Sequence, residues 1–218
     1  NNDIMKKYLF LIMLALSQYI MAEYHPTLVA NRIWYCLDGN SGSVFPMQLN
    51  HQQIEINGKL YWDLGNRALR EDTDEQRIYV IWRGENGYEE NVQEYLLVDY
   101  NCSVGDKVSV LCKTDGVNIV RECLVEDVSV IDGRKHITIR LNIPEYLEMW
   151  KDVPLTDEAR TLINDALLEE WVEGVGIADN GGILLEHVYN VTYTGVGARI
   201  IVCVLDNDEM VYEKQSGG

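Results

Sequence analysis

Three dipeptides limit what this chain can fold into: Asn57-Gly58, Asp115-Gly116 and Asp132-Gly133. Asn-Gly and Asp-Gly accept positive φ at both central positions of a type I′ turn, the two-residue turn whose twist matches that of the strands it joins. Each pair lies between runs that alternate apolar and polar residues. "HQQIEINGKLYWDL" surrounds the first, and "VGDKVSVLCKTDGVNIVRECLVEDVSVIDGRKHITIRL" holds the other two. "NRIWYCLDGN", "EQRIYVIWRG" and "VQEYLLVDY" read as further strands, and "RIIVCVLDNDEMVYE" as a last hairpin around Asp206 to Glu209. Short strands at this regular spacing predict a mainly β protein of antiparallel sheets, as a sandwich or an open barrel.

One segment departs from period two. "LTDEARTLINDALL" puts Ala159, Leu162, Ile163, Ala166 and Leu167 at helical spacing, with Thr156 at the N-cap position and Asp157 and Glu158 in the first turn. Pro154 keeps an earlier helix from running into it. The spacing predicts one helix near 156–169, its apolar stripe laid on the sheet.

The first 22 residues read differently. From Met5, "MKKYLFLIMLALSQYIMA" has two lysines, an apolar run from Leu9 to Leu16 and a small residue at Ala22. That is the order of a cleaved secretory signal, and the run is shorter than the roughly 20 residues of a spanning helix. The expected layout is 1–22 as upstream residues plus signal peptide, 23–213 as a single β-rich domain and 214–218 as a flexible tail. A subdomain boundary, if there is one, falls near 114. No membrane insertion is expected after cleavage. The net charge of −17, with the basic residues scattered singly, repels phosphate backbones, so no nucleic acid is expected as a partner.

The five cysteines, Cys36, Cys102, Cys112, Cys123 and Cys203, form no CxxC pair. An exported chain can oxidise them, and an odd number leaves at least one over. A two-residue turn at Asp115-Gly116 sets Cys112 opposite Ile119 and Cys123 four positions out of register. Buried thiols account for these residues as well as disulfides do.

"EEWVEGVGIADNGGILLE", from Glu169 to Glu186, has four glycines but no lysine and hydroxyl after the last, as a P-loop requires. At the third glycine of a dinucleotide fingerprint it has Asp179. These glycines read as backbone devices for positive φ and close approach, and no cofactor is expected. His25, His51, His136 and His187 have no ligand spacing. The acidic runs "REDTDE" (70–75) and "DNDE" (206–209) lack the spacing of a calcium loop and read as turns. Trp34, Trp62 and Trp82 lie on strands of the first half and are the candidates for an aromatic face that stacks on sugar rings.

The ordered set "INGKLYWDL" (56–64), "LREDTDEQRIYVI" (69–81), "LLVDYNCSVGDKV" (96–108), "VIDGRKHITIRL" (130–141), "EEWVEGVG" (169–176), "GGILLE" (181–186) and "IIVCVLDNDEMVY" (200–212) resembles a family of secreted Bacteroidetes proteins of unknown function. Many of these carry a C-terminal type IX secretion sorting domain, which the sequence ending "KQSGG" does not include. The segment 145–169 is longer than in typical members. The resemblance implies an exported β protein, in the periplasm or at the cell surface, and brings no activity with it. It also implies a pair: alternation puts Glu173 on the face of Trp171 and Val175, a buried carboxylate needs a partner, and "WVEG" and "RED" recur together in the family pattern, so Arg70 is the expected partner of Glu173. The expected function is non-enzymatic binding of an unknown protein or a glycan. The alternative is a glycosidase-like hydrolase working through carboxylates, with no catalytic pair singled out.

Overall fold

The computed structural model describes residues 23–38, 41–49, 52–84, 87, 93–114, 117–144, 148, 150–178, 187–189 and 199–214. The expectations for 1–22, for Asp115-Gly116, for Gly181-Gly182 and for the tail at 215–218 lie outside the described residues.

The chain is mainly β. In chain order the strands are β1 (Arg32–Asp38), β2 (Ser43–Gln48), β3 (Gln53–Ile56), β4 (Lys59–Asp63), β5 (Arg67–Asp72), β6 (Arg77–Trp82), β7 (Tyr95–Asp99), β8 (Lys107–Thr114), β9 (Val117–Ile131), β10 (Arg134–Arg140), β11 (Leu168–Val172), β12 (Gly176–Ile177), β13 (His187–Tyr189), β14 (Arg199–Asp206) and β15 (Glu209–Glu213), with a helix α1 (Asp157–Asp165) between β10 and β11. They form three sheets, in the orders β15-β14-β1-β2, β12-β11-β10-β9-β8-β13 and β3-β4-β5-β6-β7. One of the three curls into a half-barrel. The pairings are antiparallel except that of β13 with β8, which is parallel.

The turn dipeptides act as their chemistry requires. Asn57 and Gly58 have φ of 52° and 75°, and Asp132 and Gly133 have 51° and 77°, the left-handed values of a type I′ turn. Asn207 and Asp208, at 50° and 69°, close the last hairpin in the same way. Thr114 pairs with Val117 and Cys112 with Ile119, the register expected of a two-residue turn between them. All five cysteines are thiols, and four of them are buried.

Alternation then sorts side chains by face. On β5 and β6, Leu69 and Val80 pair and point into a large apolar cluster that also takes Trp34 and Val204 from the four-stranded sheet and Ile137, Ile139 and Trp171 from the six-stranded one. The opposite face of the five-stranded sheet has its own small cluster, Tyr61, Ala68 and Ile81 with Ile54 and Ile56.

The helix begins as predicted. Thr156 caps it, its side chain accepting from the Ala159 N–H, and Asp157 and Glu158 sit at the positive end. Two details differ. It ends at Asp165 because Leu168 onward pairs with β10, where Arg140 faces Leu168. Its stripe is not laid on a sheet: α1 buries no residue, and Leu162 is 71% exposed. Among the described residues, a side-chain bond from Arg140 Nη1 to the Asn164 carbonyl ties this nine-residue helix to β10. Among the described residues no helix is long and apolar enough to cross a membrane.

Candidate functional site

The segment from Tyr24 to Leu28 has no ladder partner, so its backbone N–H groups need acceptors from elsewhere. Two carboxylates supply them. Glu71 lies on the inward face of β5, two residues beyond Leu69. It accepts from the N–H groups of Thr27 and Leu28, at 2.8 and 2.7 Å, and from the Tyr24 hydroxyl at 2.6 Å. Glu173, just past β11, accepts from the N–H of His25 at 2.6 Å and of Lys135 at 3.2 Å. The carbonyls of the same segment go to Arg32, whose guanidinium donates to the carbonyls of Pro26, Thr27 and Gly174 and pairs with Asp206 at 2.8 Å. Tyr100, fully buried, closes the junction through bonds with Thr27 and the Val172 carbonyl. Burial pushes the Glu71 carboxyl above its usual range, and its three donors only partly offset this.

Beside this junction opens a cleft of about 580 Å³, within the size range of ligand sites. One wall is the β9–β10 hairpin and its neighbour, with Ile131, Asp132, Arg134, His136 and Glu170. The facing wall is β15, with Met210, Val211, Tyr212, Glu213 and Lys214, and His25 closes the end. His136 and Glu170 are diagonal neighbours on β10 and β11, with Nδ1 2.7 Å from Oε1. The bond from His136 holds the Glu170 carboxyl below its usual range against the effect of burial. An ionised carboxylate only accepts, so Nδ1 bears the hydrogen of this bond. Lys214 Nζ stands 4.0 Å from the other Glu170 oxygen. Arg134 donates from Nη1 to the Glu173 carbonyl. Burial, followed by the charge of Arg32, pulls its guanidinium below its usual range.

Gly174 makes this arrangement fit. Its φ is 75°, and a Cβ there would lie 2.2 Å from Arg134 Nη1 and 3.1 Å from His25 Cβ. Gly176, at φ 104°, likewise takes a left-handed conformation. This part of the glycine stretch serves backbone geometry.

Two sets of sequence-predicted residues are placed differently. Trp34 is fully buried, its Nε1 bonded to the Val175 carbonyl at 2.9 Å, and it belongs to no exposed face. Trp62 and Trp82 are half-buried on the side of the five-stranded sheet that carries Leu69 and Val80, packed on the main core. The Arg67 guanidinium covers the Trp82 ring, 5.6 Å from its centroid. The aromatic residue that lines the cleft is Tyr212. Arg70 does not meet Glu173. Glu173 is buried as expected, but Arg70 points to the outer face, where it binds Glu94 and Asp72 and lies 4.5 Å over the Tyr79 ring. The reason is parity: in "RED" the inward residue is Glu71, one place along.

The described lining of the cleft offers two cations, a His–carboxylate pair, a phenol and apolar surface. No Ser, Thr or Cys is among its lining residues. Glu170, held ionised, does not serve as a proton donor near neutral pH. The carboxyl with the raised pKa, Glu71, is occupied by three donors under the N-terminal segment. Among the described residues no three His, Cys, Asp or Glu side chains are grouped to hold a metal. The histidines and the edge strand of the cleft carried no local signature, because four separate stretches of chain build it. No protein family, curated protein or solved structure matches the chain.

Proposed function

We propose that this is an exported, non-enzymatic binding protein of the periplasm or cell surface, and that its cleft receives a segment of a partner protein or a glycan. The observation that carries the reading is the cleft itself. Apolar Ile131 and Met210, 46% and 58% exposed, line it alongside Tyr212, two cations and an ordered His–carboxylate pair, with no activated nucleophile among them. Such a mixture of a few fixed polar groups with apolar surface is what ligand sites use for orientation and affinity. Export is supported by the order of residues from Met5 to Ala22, and a cut after Ala22 retains the described anchoring contacts of Tyr24 to Leu28.

The test has two parts. Envelope-fraction proteins and an oligosaccharide array are offered to the isotope-labelled protein, and the expected shift changes centre on residues 131–136 and 210–214. Chromogenic glycosides and ester substrates are assayed in parallel. Turnover that disappears in Glu170→Gln overturns the non-enzymatic reading.

A further inference from the structure

Building on the cleft as the binding site, we infer that its ligand is an extended peptide that adds to the edge of β15 opposite β14 as a further strand and brings a carboxylate to Arg134. Five consecutive residues of β15 and its exit, Met210 to Lys214, line the cleft. Side chains of a strand alternate between faces, so a cavity on one face touches every second residue. A cavity touching Met210 to Lys214 in a row, across the register shift that sets Met210 and Tyr212 against the adjacent Leu205 and Val204, follows the strand's edge. β15 ends its sheet, with β14 on one side and no described strand on the other. The backbone confirms which groups face outward. The Lys214 N–H bonds inward to the Val202 carbonyl at 2.9 Å, and Tyr212 pairs with Val204, so the N–H and C=O of Glu213 between them point away from β14 into the cleft.

The two ends of this sheet differ in how they meet other chains. β2, at the far end, carries Pro46, which cannot donate to an added strand and blunts that edge. β15, "EMVYE", has no proline. An open edge beside a lined cleft is the arrangement by which sheets take up extended peptides: the backbone supplies affinity and the alternate side chains supply selectivity.

Charge specifies the ligand further. His136 and Lys214 both face Glu170. Arg134, half-buried in the same wall, donates only to a carbonyl and has no carboxylate within salt-bridge distance among the described residues. A guanidinium placed so takes a carboxylate through two parallel bonds. The peptide is therefore extended, free of proline where it pairs, apolar where it passes Ile131 and Met210, and acidic at the position facing Arg134.

The experiment is selection from a displayed library of random octapeptides on the full exported chain, followed by synthesis of the enriched sequences. The expected motif alternates, contains one Asp or Glu and excludes proline. Binding should fall at least tenfold in Arg134→Met and in Glu213→Pro. Each variant is first checked for a native circular dichroism spectrum and an unchanged unfolding midpoint; if Glu213→Pro fails that check, amide exchange replaces it. The Glu213 amide of the unaltered protein should then be protected by the peptide. A library that yields no binder, or binders rich in proline or indifferent to Arg134→Met, overturns strand addition. Oligosaccharide binding in the cleft without peptide binding overturns it too, yet leaves the cleft as the binding site. Peptides that bind without shifting any cleft resonance overturn both.

Discussion

Glu71 on β5 and Glu173 in the turn after β11 grip the same five-residue segment of chain through its backbone amides: Thr27 and Leu28 by the first, His25 by the second. The contacts are to N–H groups, so they do not depend on which side chains the segment carries. Replacing either carboxylate by an amide sets an NH2 against a backbone donor and leaves that donor unsatisfied. Glu71→Gln and Glu173→Gln are each expected to cost about 1–3 kcal/mol. Urea unfolding of both variants and of the double variant checks this, with the double expected to cost less than the two singles together, since both hold one segment. An unchanged midpoint for either single variant removes that carboxylate from the account.

The carboxyl shifts of Glu71 and Glu94 have opposite signs and give opposite pH responses. Burial raises Glu71, so the folded state binds its proton more tightly than the unfolded chain does. Its contribution to stability falls as pH rises from the ordinary carboxylate range through its raised value. The destabilisation by Glu71→Gln is thus expected to grow on acidification across that window.

Glu94 behaves in the other sense. Burial acts to raise it, but the bonds from Arg70, Lys59 and Tyr61 prevail and lower it from 4.5 to about 2. The stabilisation from its ionised form is complete above 4.5 and is lost as pH falls toward 2. Glu94→Gln should cost about 1–2 kcal/mol at neutral pH, after screening of this partly exposed cluster, and nothing near pH 2. Denaturant titrations at pH 7, 4 and 2 separate the two cases. A cost that does not shrink in acid contradicts the assignment.

Gly174 is expected to tolerate no side chain. Gly174→Ala combines left-handed strain with a clash against Arg134 and His25, for about 2–3 kcal/mol in total. Arg134 is the flexible partner, so the same change in an Arg134→Met background should cost measurably less. Equal costs in both backgrounds place the penalty on φ alone.

Trp34 is a core residue with one polar handle. Trp34→Phe should lose the bond to the Val175 carbonyl for about 1 kcal/mol, and Trp34→Ala about 3–5 kcal/mol. A Trp34→Ala variant that keeps its stability contradicts the burial.

Much of the fold was legible because its turns are chemically specific. Asn57-Gly58 and Asp132-Gly133 set both strand boundaries and register, and the capping at Thr156 marked the start of the helix. The end of that helix was not legible, since the β10–β11 ladder overrides helical spacing after Asp165. The junction was half legible: apolar neighbours announced the burial of Glu173, but the partner depended on strand parity, and a shift of one residue exchanges Arg70 for Glu71. Nor could alternation alone tell a strand's core face from its solvent face, which is why Trp34 was a candidate for stacking. The cleft had no sequence signature, because His25, Arg134, Glu170 and Tyr212 converge only once the four- and six-stranded sheets and the N-terminal segment are assembled.

The pairing of β1 with β14 has a consequence for the order of synthesis. Arg32 must reach Asp206, 174 positions on, and Gly174, 142 positions on, while His25 waits for Glu173, 148 positions on. The first strand to be made is completed by nearly the last. Until residue 206 is available, β1 has only β2 beside it, and a two-stranded ribbon is marginal in water. Closure of so many distant contacts is slow. In a growing chain of this design the segment Tyr24–Asp38 therefore stays slack until residue 206 has been delivered.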